Sequence, residues 1–215
     1  DVFNGLGSFI DQNKVKIKNK KSEEIIESKN IVIATGSKPA NLPFIKIDKE
    51  RIITSTEALS LKEIPKKMTI IGGGVIGLEL GQVYGRLGTE VSVIEYFDRI
   101  IPNMDKSLGR ELMKVLKKQN IKFYLSHKVE KVERINNTIK ITAKDDDGSD
   151  IKFESDYCLV SVGRKPYTEG LNLNELEIKT SDAGQIIVNE NLQTSKSNIY
   201  AIGDVIRGSM LAHKA

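Results

Sequence analysis

The sequence predicts an α/β chain that combines a parallel sheet with an antiparallel β-meander and carries β-rich segments on either side. Residues 68–125 alternate strand-type and helix-type periodicity in the order β-α-β-α-β, which is typical of a parallel sheet with right-handed crossovers. Residues 129–160 change to a period of two, with turn residues between the runs, which indicates an antiparallel meander. The flanking segments contain short apolar runs broken by turns, which favours small strands there.

Length and composition exclude several classes of protein. The chain has 215 residues, of which 39% are hydrophobic, so it is typical of a globular protein of one or two domains. Its 33 Lys and Arg against 29 Asp and Glu give a mild net charge of +4 that is spread along the chain, which argues against nucleic acid as a partner. No apolar run reaches the ~18 residues of a membrane span. The single cysteine, Cys158, excludes an internal disulfide and a Cys-x-x-Cys pair, and its apolar neighbours predict a small buried side chain.

The division into domains follows from changes in pattern. Because the chain begins at Asp1 without methionine and ends at Ala215 just after a Gly-Asp motif, we expect it to be a piece of a longer protein. A stretch with two prolines at residues 37–49 and a connector that ends at Pro65 precede a new strand-helix pattern. We therefore predict three segments, which are residues 1–64, 65–188 and 189–215.

The first segment is predicted to be mainly β-structure. Residues 15–17, 24–27 and 31–33 have the pattern of three short strands, which we expect to form a meander. Residues 37–49 contain two prolines and are predicted to be a loop, and residues 55–59 are predicted to be a short helical turn.

The second segment carries the parallel-sheet pattern. Strands are expected at residues 68–71, 91–95 and 121–125, and amphipathic helices at residues 75–87 and 107–119. Further strands are expected at residues 157–162, 186–188 and 199–202.

A glycine-rich turn is the strongest functional motif. Gly72, Gly74 and Gly77 form the pattern G-x-G-x-x-G between a predicted strand and a predicted helix, and Glu95 ends the next strand 18 residues later. Gly72 permits the tight turn, Gly74 lets a pyrophosphate approach the main chain, and Gly77 lets the helix pack closely on the strand. The free N–H groups at the helix start then face the phosphates. A carboxylate at Glu95 would accept hydrogen bonds from the ribose hydroxyls and would repel a 2′-phosphate. The pattern therefore predicts a Rossmann-like domain that binds NAD rather than NADP.

Seven short stretches together carry a family resemblance. They include Ala-Thr-Gly-Ser at 34–37, Val-Gly-Arg-Lys-Pro at 162–166, Ala-Ile-Gly-Asp at 201–204 and Met-Leu-Ala-His at 210–213. The others are residues 70–79, 93–95 and 98–102 around the glycine motif. In this order the stretches resemble the flavin-dependent pyridine nucleotide-disulfide oxidoreductases, and within them the dihydrolipoamide dehydrogenases. The resemblance covers essentially all 215 residues.

The resemblance implies that residues 65–188 are an NAD-binding domain and that residues 1–64 and 189–215 are partial segments of an FAD domain. It also implies two sets of cofactor contacts. Contacts to FAD are implied at Gly7, Thr35, Gly36, Ser37, Asp204, Met210, Leu211, Ala212 and His213. Contacts to NAD are implied at Gly72, Gly73, Gly74, Val75, Ile76, Gly77, Leu78, Glu79, Glu95, Val129 and Gly163. Within these sets, Asp204 resembles the aspartate that holds the ribityl chain, and Glu79 the glutamate beside the nicotinamide. Val129 and Gly163 would line the adenine and nicotinamide ends of the groove.

The resemblance also implies an activity for the longer protein. Such a parent passes electrons from dihydrolipoamide to a cysteine pair, then to FAD and then, as hydride, to NAD. It would be a cytoplasmic homodimer, mitochondrial in a eukaryote, that serves 2-oxo acid dehydrogenase complexes through a lipoyl dithiol. The Cys-x4-Cys pair, the family's first FAD-binding glycine motif and its C-terminal dimerisation domain are absent from these residues. We therefore expect the chain by itself to be inactive, with no catalytic residue of its own, and to retain no FAD.

Two other interpretations stay open. One is an NAD-linked sister flavoprotein, such as a glutathione-, mercuric- or CoA-disulfide reductase, because these share the same middle region. An NADPH-using member would carry arginines where Glu95 and Tyr96 stand. The other is a non-catalytic nucleotide-binding module, which the motifs implied for FAD disfavour.

Overall fold

The computed structural model describes residues 1–208, 210, 211 and 213. Their contacts divide the chain into two compact units, which are described separately. One unit is the continuous stretch Pro39–Gly163, and the other combines residues 1–38 with residues 164–215. We call the first the continuous unit and the second the two-segment unit.

Strands outnumber helices in the described part of the chain. The strands are β1 (Leu6–Phe9), β2 (Lys14–Lys18), β3 (Glu23–Glu27), β4 (Ile31–Ile33), β5 (Ser37–Pro39), β6 (Ile52–Ile53), β7 (Lys67–Ile71), β8 (Glu90–Ile94), β9 (Lys122–Tyr124), β10 (Lys128–Ile135), β11 (Thr138–Lys144), β12 (Asp150–Ser155), β13 (Tyr157–Val160), β14 (Arg164–Pro166) and β15 (Ile199–Ala201). The helices are α1 (Ser55–Ala58), α2 (Val75–Arg86) and α3 (Lys106–Lys118), followed by a 3-10 turn at Gly203–Val205. No helix in these residues is long and apolar enough to cross a bilayer.

A five-stranded parallel sheet is the centre of the continuous unit. Its strand order is β6-β13-β7-β8-β9, with all neighbours parallel. The predicted β-α-β-α-β pattern is confirmed, with helix α2 ending one residue earlier than expected and α3 shifted by one residue. Since β13 returns beside β7 on the side away from β8, the chain changes direction across the sheet at the carboxyl end of β7.

The two faces of this sheet are covered differently. Side chains alternate along each central strand, so neighbouring residues pack into separate cores. Ile70 and Val93 join the core that includes residues of α2 and α3, whereas Ile71 and Ile94 join the core with β11 of the antiparallel meander. Coverage on both faces explains why these strands are continuous apolar runs. Cys158 lies in the second core with no exposed surface, as expected, and burial raises the pKa of its thiol.

The predicted meander after residue 129 is confirmed as β10, β11 and β12. The three strands pair in antiparallel fashion in that order, with a bulge between Val129 and Lys131. Buried Ile139, Ile141 and Ala143 alternate along β11 and fix which face meets the parallel sheet.

The two-segment unit differs from the expected meander in one strand. Its antiparallel sheet is β1-β2-β3, so Leu6–Phe9 is the third member rather than residues 31–33. Ile31–Ile33 instead pairs in parallel with β15. Gly7 lies opposite Ile17 within the β1–β2 ladder.

Two local expectations are wrong. Residues 186–188 form no strand, because the main-chain N–H groups of Ile186 and Ile187 donate to two different segments, at Val205 and Lys179. Part of the predicted loop forms β5, which pairs with β14. The limits of the two compact units, at residues 38 and 163, differ from the predicted segment boundaries at 64 and 188. Strand β6 joins the parallel sheet, and residues 171–188 supply side chains to the core around Phe9.

Candidate functional site

The glycine turn lies at the carboxyl end of β7 and leads directly into α2. Open α/β sheets bind ligands at this edge, where the chain changes direction across the sheet. Gly72 N–H still donates to Ile94 O at 2.9 Å, so the turn begins attached to the end of β8. On the other side, Ser161 directly follows β13, and its N–H donates to Ile71 O at 2.8 Å. The turn is therefore held between the two neighbours of β7.

Two of the three glycines are required by the protein's own packing. Gly72 has a φ of +107°, and a Cβ there would lie 2.5 Å from Ser161 O. A Cβ at Gly77 would lie 2.5 Å from both Gly72 O and the Ser161 hydroxyl, because the first turn of α2 contacts the strand ends directly. Any side chain at either position would force the turn and α2 apart.

Gly74 has no such internal requirement. Its φ is −80°, which any residue adopts, and a Cβ there would meet no atom within 4 Å. It is the N-cap of α2, where no side chain accepts a hydrogen bond from the first N–H groups. Val75 is exposed and Ile76 is half-buried beside it. The start of α2 thus presents uncapped N–H donors next to open space.

Glu95 is the buried carboxylate at this edge, with 6% of its surface exposed. Its Oε2 accepts from Gly73 N–H at 2.5 Å and its Oε1 from Phe97 N–H at 2.8 Å. A carboxylate has about four acceptor positions, so two remain after these bonds. Ile101 N–H donates to Gly73 O at 2.9 Å, which fastens the loop after β8 to the turn. Glu95 therefore supports the glycine turn as well as adding negative charge beside it.

The other residues implied for NAD are placed unequally. Glu79 is exposed on α2, and Gly163 is exposed with a φ of +118°. Leu78 and Val129 have buried side chains that belong to the two cores. These last two could contact a nucleotide only through their main chain.

Ser161 is a residue that the motif analysis missed. Its hydroxyl lies 3.2 Å from Ile71 O and 3.3 Å from Gly72 O, so it braces the turn from β13. The only signal in the sequence is a polar residue directly after the apolar run of β13, and that signal gives no partner.

A second cluster lies within the two-segment unit. The Ser37 hydroxyl donates to Asp204 Oδ2 at 2.6 Å, which joins two of the residues implied for FAD. The Thr35 hydroxyl donates to Tyr167 O at 2.6 Å, and Gly36 O accepts from Tyr167 N–H at 2.9 Å. The structure therefore brings the 35–37 turn and Asp204 together.

The remaining residues implied for FAD differ in how far they are exposed. Gly7 is exposed in β1, Met210 is half-buried, and Leu211 and His213 are exposed. Ala212 lies outside the described residues.

Arg164 lies in the Val-Gly-Arg-Lys-Pro stretch at residues 162–166, whose sequence predicts no role for it. Its Nε donates to the Ser37 hydroxyl oxygen at 2.7 Å and its Nη2 to Ser37 O at 2.6 Å. Only the fold could reveal this pairing, because the two residues are 127 positions apart.

Comparison with known proteins identifies related sequences over the whole chain. The profile of the family described as pyridine nucleotide-disulphide oxidoreductase matches residues 2–215. Mitochondrial dihydrolipoyl dehydrogenase from Pisum sativum is 44% identical over 213 residues, covering 98% of this chain and 42% of its own length. Leghemoglobin reductase from Glycine max is 43% identical over 213 residues, covering 98% of this chain and 41% of its own length.

A solved structure agrees with the fold. The HOCl-induced flavoprotein disulfide reductase RclA from Escherichia coli, in its Cu(II) complex, superimposes with a TM-score of 0.92 at 26% identity. The match covers 100% of this chain and 48% of that one. The chain thus spans less than half the length of each of these relatives.

Proposed function

The chain belongs to the pyridine nucleotide-disulphide oxidoreductase family, and from that premise we propose that its continuous unit binds NAD(H), with the pyrophosphate at the glycine turn. The observation that carries this proposal is Gly74. Neither its φ nor its packing requires glycine, yet its missing side chain leaves open space beside the uncapped start of α2. A negatively charged group that approaches the main chain closely would use both features.

Glu95 supports NAD(H) over NADP(H). The carboxylate is held at the end of β8 by two main-chain N–H groups, so it cannot swing away from a bound ribose without losing them. Its remaining lone pairs can accept hydrogen bonds from the hydroxyls of an adenosine ribose. A 2′-phosphate would instead place a second negative charge next to the carboxylate. We expect NADH to bind at least about tenfold more tightly than NADPH, since a close like-charge contact costs about 1.4 kcal/mol or more.

The ends of the nucleotide are assigned by resemblance and by exposure. Glu79 projects from the exposed side of α2, two residues beyond Gly77, where it would lie beside the nicotinamide. Gly163 would contribute exposed main chain at the same end. Val129 would contribute main chain at the adenine end, because its side chain is in the core.

The two-segment unit is proposed to contribute part of an FAD site. Asp204 would accept ribityl hydroxyls in charge-assisted hydrogen bonds, and the turn at Thr35, Gly36 and Ser37 would contact the same cofactor. Gly7 and residues 210–213 would add contacts. FAD, when bound, supplies the two-electron redox chemistry, and the residues here position it.

For the longer protein we propose dihydrolipoyl dehydrogenase activity. The support is 44% identity to the Pisum sativum enzyme over nearly the whole chain. The dithiol substrate, the homodimer, the association with 2-oxo acid dehydrogenase complexes and the cytoplasmic or mitochondrial location belong to that proposal. The 215 residues contain one cysteine, so we propose that they bind cofactor but cannot accept electrons from a dithiol. The Ser37–Asp204 cluster disfavours a nucleotide-binding module without flavin.

The proposal is tested by titrating the chain with NADH, followed by nucleotide fluorescence. Gly74→Ala should weaken binding by roughly tenfold, because a methyl group enters the space for the pyrophosphate. Gly85→Ala is the matched control, since it lies in the same helix with its nearest neighbour 3.8 Å from the added carbon. Circular dichroism should show both variants folded. Equal affinity for NADH in the Gly74→Ala variant and the control would contradict the assignment.

A further inference from the structure

The residue that connects the second cluster is Arg164, which belongs to neither set of implied contacts. It donates twice to Ser37, once to the hydroxyl oxygen and once to the main-chain carbonyl. The Ser37 hydroxyl donates in turn to Asp204 Oδ2. Arg164 therefore reaches Asp204 only through Ser37, in a relay built from three separate parts of the chain.

The chemistry of a hydroxyl group gives this relay a direction. Ser37 has one proton to donate, and a hydroxyl by itself can rotate among several acceptors. Arginine has only donors, so Nε of Arg164 must occupy a lone pair of the hydroxyl oxygen. The proton of Ser37 is then directed to Asp204. As a result, Oδ2 of Asp204 is held in place, while Oδ1 accepts no hydrogen bond from the described residues.

The hydrogen bonds of Arg164 are not needed to hold the two segments together. The segments around Ser37 and Arg164 are already joined by the bonds between Tyr167 and residues 35–36, at 2.6 and 2.9 Å. Arg164 is only half-buried, so its fork is not needed to satisfy a buried charge. What the fork adds is a fixed orientation of Ser37 and, through it, of the Asp204 carboxylate.

We propose that Arg164 is a positioning residue for the flavin site, which fixes Ser37 so that Asp204 presents its free oxygen to the ribityl hydroxyls. This inference rests on the proposed function, in which Asp204 holds the ribityl chain. A guanidinium suits the role because its rigid fork donates to two oxygens at once, and a lysine ammonium does not reproduce that geometry.

The test uses the full-length flavoprotein that carries this chain, stripped of FAD and then titrated with FAD. Arg164→Ala should weaken FAD binding roughly tenfold, since it removes charge-assisted bonds behind the ligand. Arg164→Lys should recover part of this loss. Lys165→Ala is the matched control, because it removes the adjacent positive charge, whose partner Glu169 is exposed. Visible circular dichroism of the bound flavin should change in Arg164→Ala and not in the control.

A double-mutant cycle separates positioning from simple stabilisation. In the Ser37→Ala background the loss of FAD affinity caused by Arg164→Ala should shrink, because the relay is already broken. Independent, additive losses would overturn the proposal, as would an Arg164→Ala variant that binds FAD like Lys165→Ala. An unmodified protein that binds no FAD would instead overturn the proposed function.

Discussion

The glycine turn and the Ser37–Asp204 cluster are built from different parts of the chain. In the glycine turn the key contact joins Gly73 to Glu95, 22 positions apart, and most of the donors are main-chain N–H groups. In the cluster, Ser37 and Asp204 are 167 positions apart, and most of the donors are side-chain groups. The first site is thus local with mostly main-chain donors, whereas the second is non-local with mostly side-chain donors.

This difference determines how each site responds to substitution. Every substitution except proline keeps the main-chain N–H donor, so the glycine turn is sensitive mainly to side chains that are added. Side-chain donors can be removed singly, so the cluster is sensitive to side chains that are deleted. Substitutions that add or delete one side chain at each site therefore distinguish the two.

The largest effect is expected from a methyl group at Gly77. The added carbon would lie 2.5 Å from a main-chain oxygen and 3.0 Å from Ile70 Cγ2, so the start of α2 must move. We expect Gly77→Ala to lower the free energy of unfolding by about 3 kcal/mol. Urea unfolding followed by circular dichroism measures this, with Gly85→Ala as the control. A loss below about 1 kcal/mol would mean that the turn is not closed by packing.

Replacing Glu95 by arginine should damage the turn before it changes cofactor preference. A guanidinium at this position would offer no acceptor, so the Gly73 N–H would lose its partner in a buried position and the Phe97 N–H in a partly buried one. We expect Glu95→Arg to cost about 2 kcal/mol of stability and Glu95→Gln about 1 kcal/mol, because the amide keeps one acceptor oxygen.

The two Glu95 variants also separate structure from charge. Unfolding curves give the stability, and NADH and NADPH titrations of folded Glu95→Gln give the effect of charge. In Glu95→Gln the difference in affinity between NADH and NADPH should be smaller than in the unmodified chain. A fully stable Glu95→Arg variant would show that the carboxylate does not brace the turn.

Ser161→Ala tests the contrast in a second way, because it deletes a side chain at the glycine turn, where most of the donors are main-chain N–H groups. The hydroxyl braces Ile71 O and Gly72 O, so its loss should cost about 1 kcal/mol of stability. NADH affinity should fall only a few-fold, since the main-chain donors remain. Thermal unfolding and NADH titration of the same sample measure both. A loss of NADH affinity as large as that of Gly74→Ala would contradict the division of roles.

The smallest effect is expected at Asp48, which anchors the connector before β6. Burial disfavours its charged form, but hydrogen bonds from the N–H groups of Arg51, Glu50 and Ile52 and from Arg134 outweigh burial and lower its pKa below the ordinary value of 3.8. A carboxylate with a lowered pKa in the folded state stabilises above its unfolded pKa, and that contribution disappears as the pH falls through its folded pKa.

Asp48→Asn should therefore cost about 0.5 kcal/mol at pH 7, and the difference from the unmodified chain should shrink below about pH 4. Urea unfolding across pH 3–7 gives the measurement. Arg134→Ala should act in the same direction. A cost for Asp48→Asn that stays constant down to pH 3 would exclude an electrostatic contribution.

The same contrast explains what could be predicted from the sequence. Strands β7, β8 and β9 and helices α2 and α3 follow one another along the chain, so periodicity was sufficient to predict them. Strand β6 was not predicted, and the pairing of β13 with β6 and β7 joins residues far apart in the sequence. The strand expected at 186–188 did not form, because its apolar residues find partners near 179 and 205 rather than along one neighbouring strand. Residues 31–33 form a strand as predicted, but the predicted pairing within the meander is wrong. Their parallel partner lies 168 positions away and leaves no local signal in the sequence. Arg164 and Ser161 were missed for the same reason.

The most direct test of the central claim is an amide NMR titration of the chain with NAD. If the start of α2 holds the pyrophosphate, the largest chemical-shift changes should occur at the N–H groups of residues 74–77, with smaller changes near Glu95. The amides of residues 35–37 and 204 should not respond. Unchanged amides at 74–77, or changes confined to the Ser37–Asp204 cluster, would contradict the account.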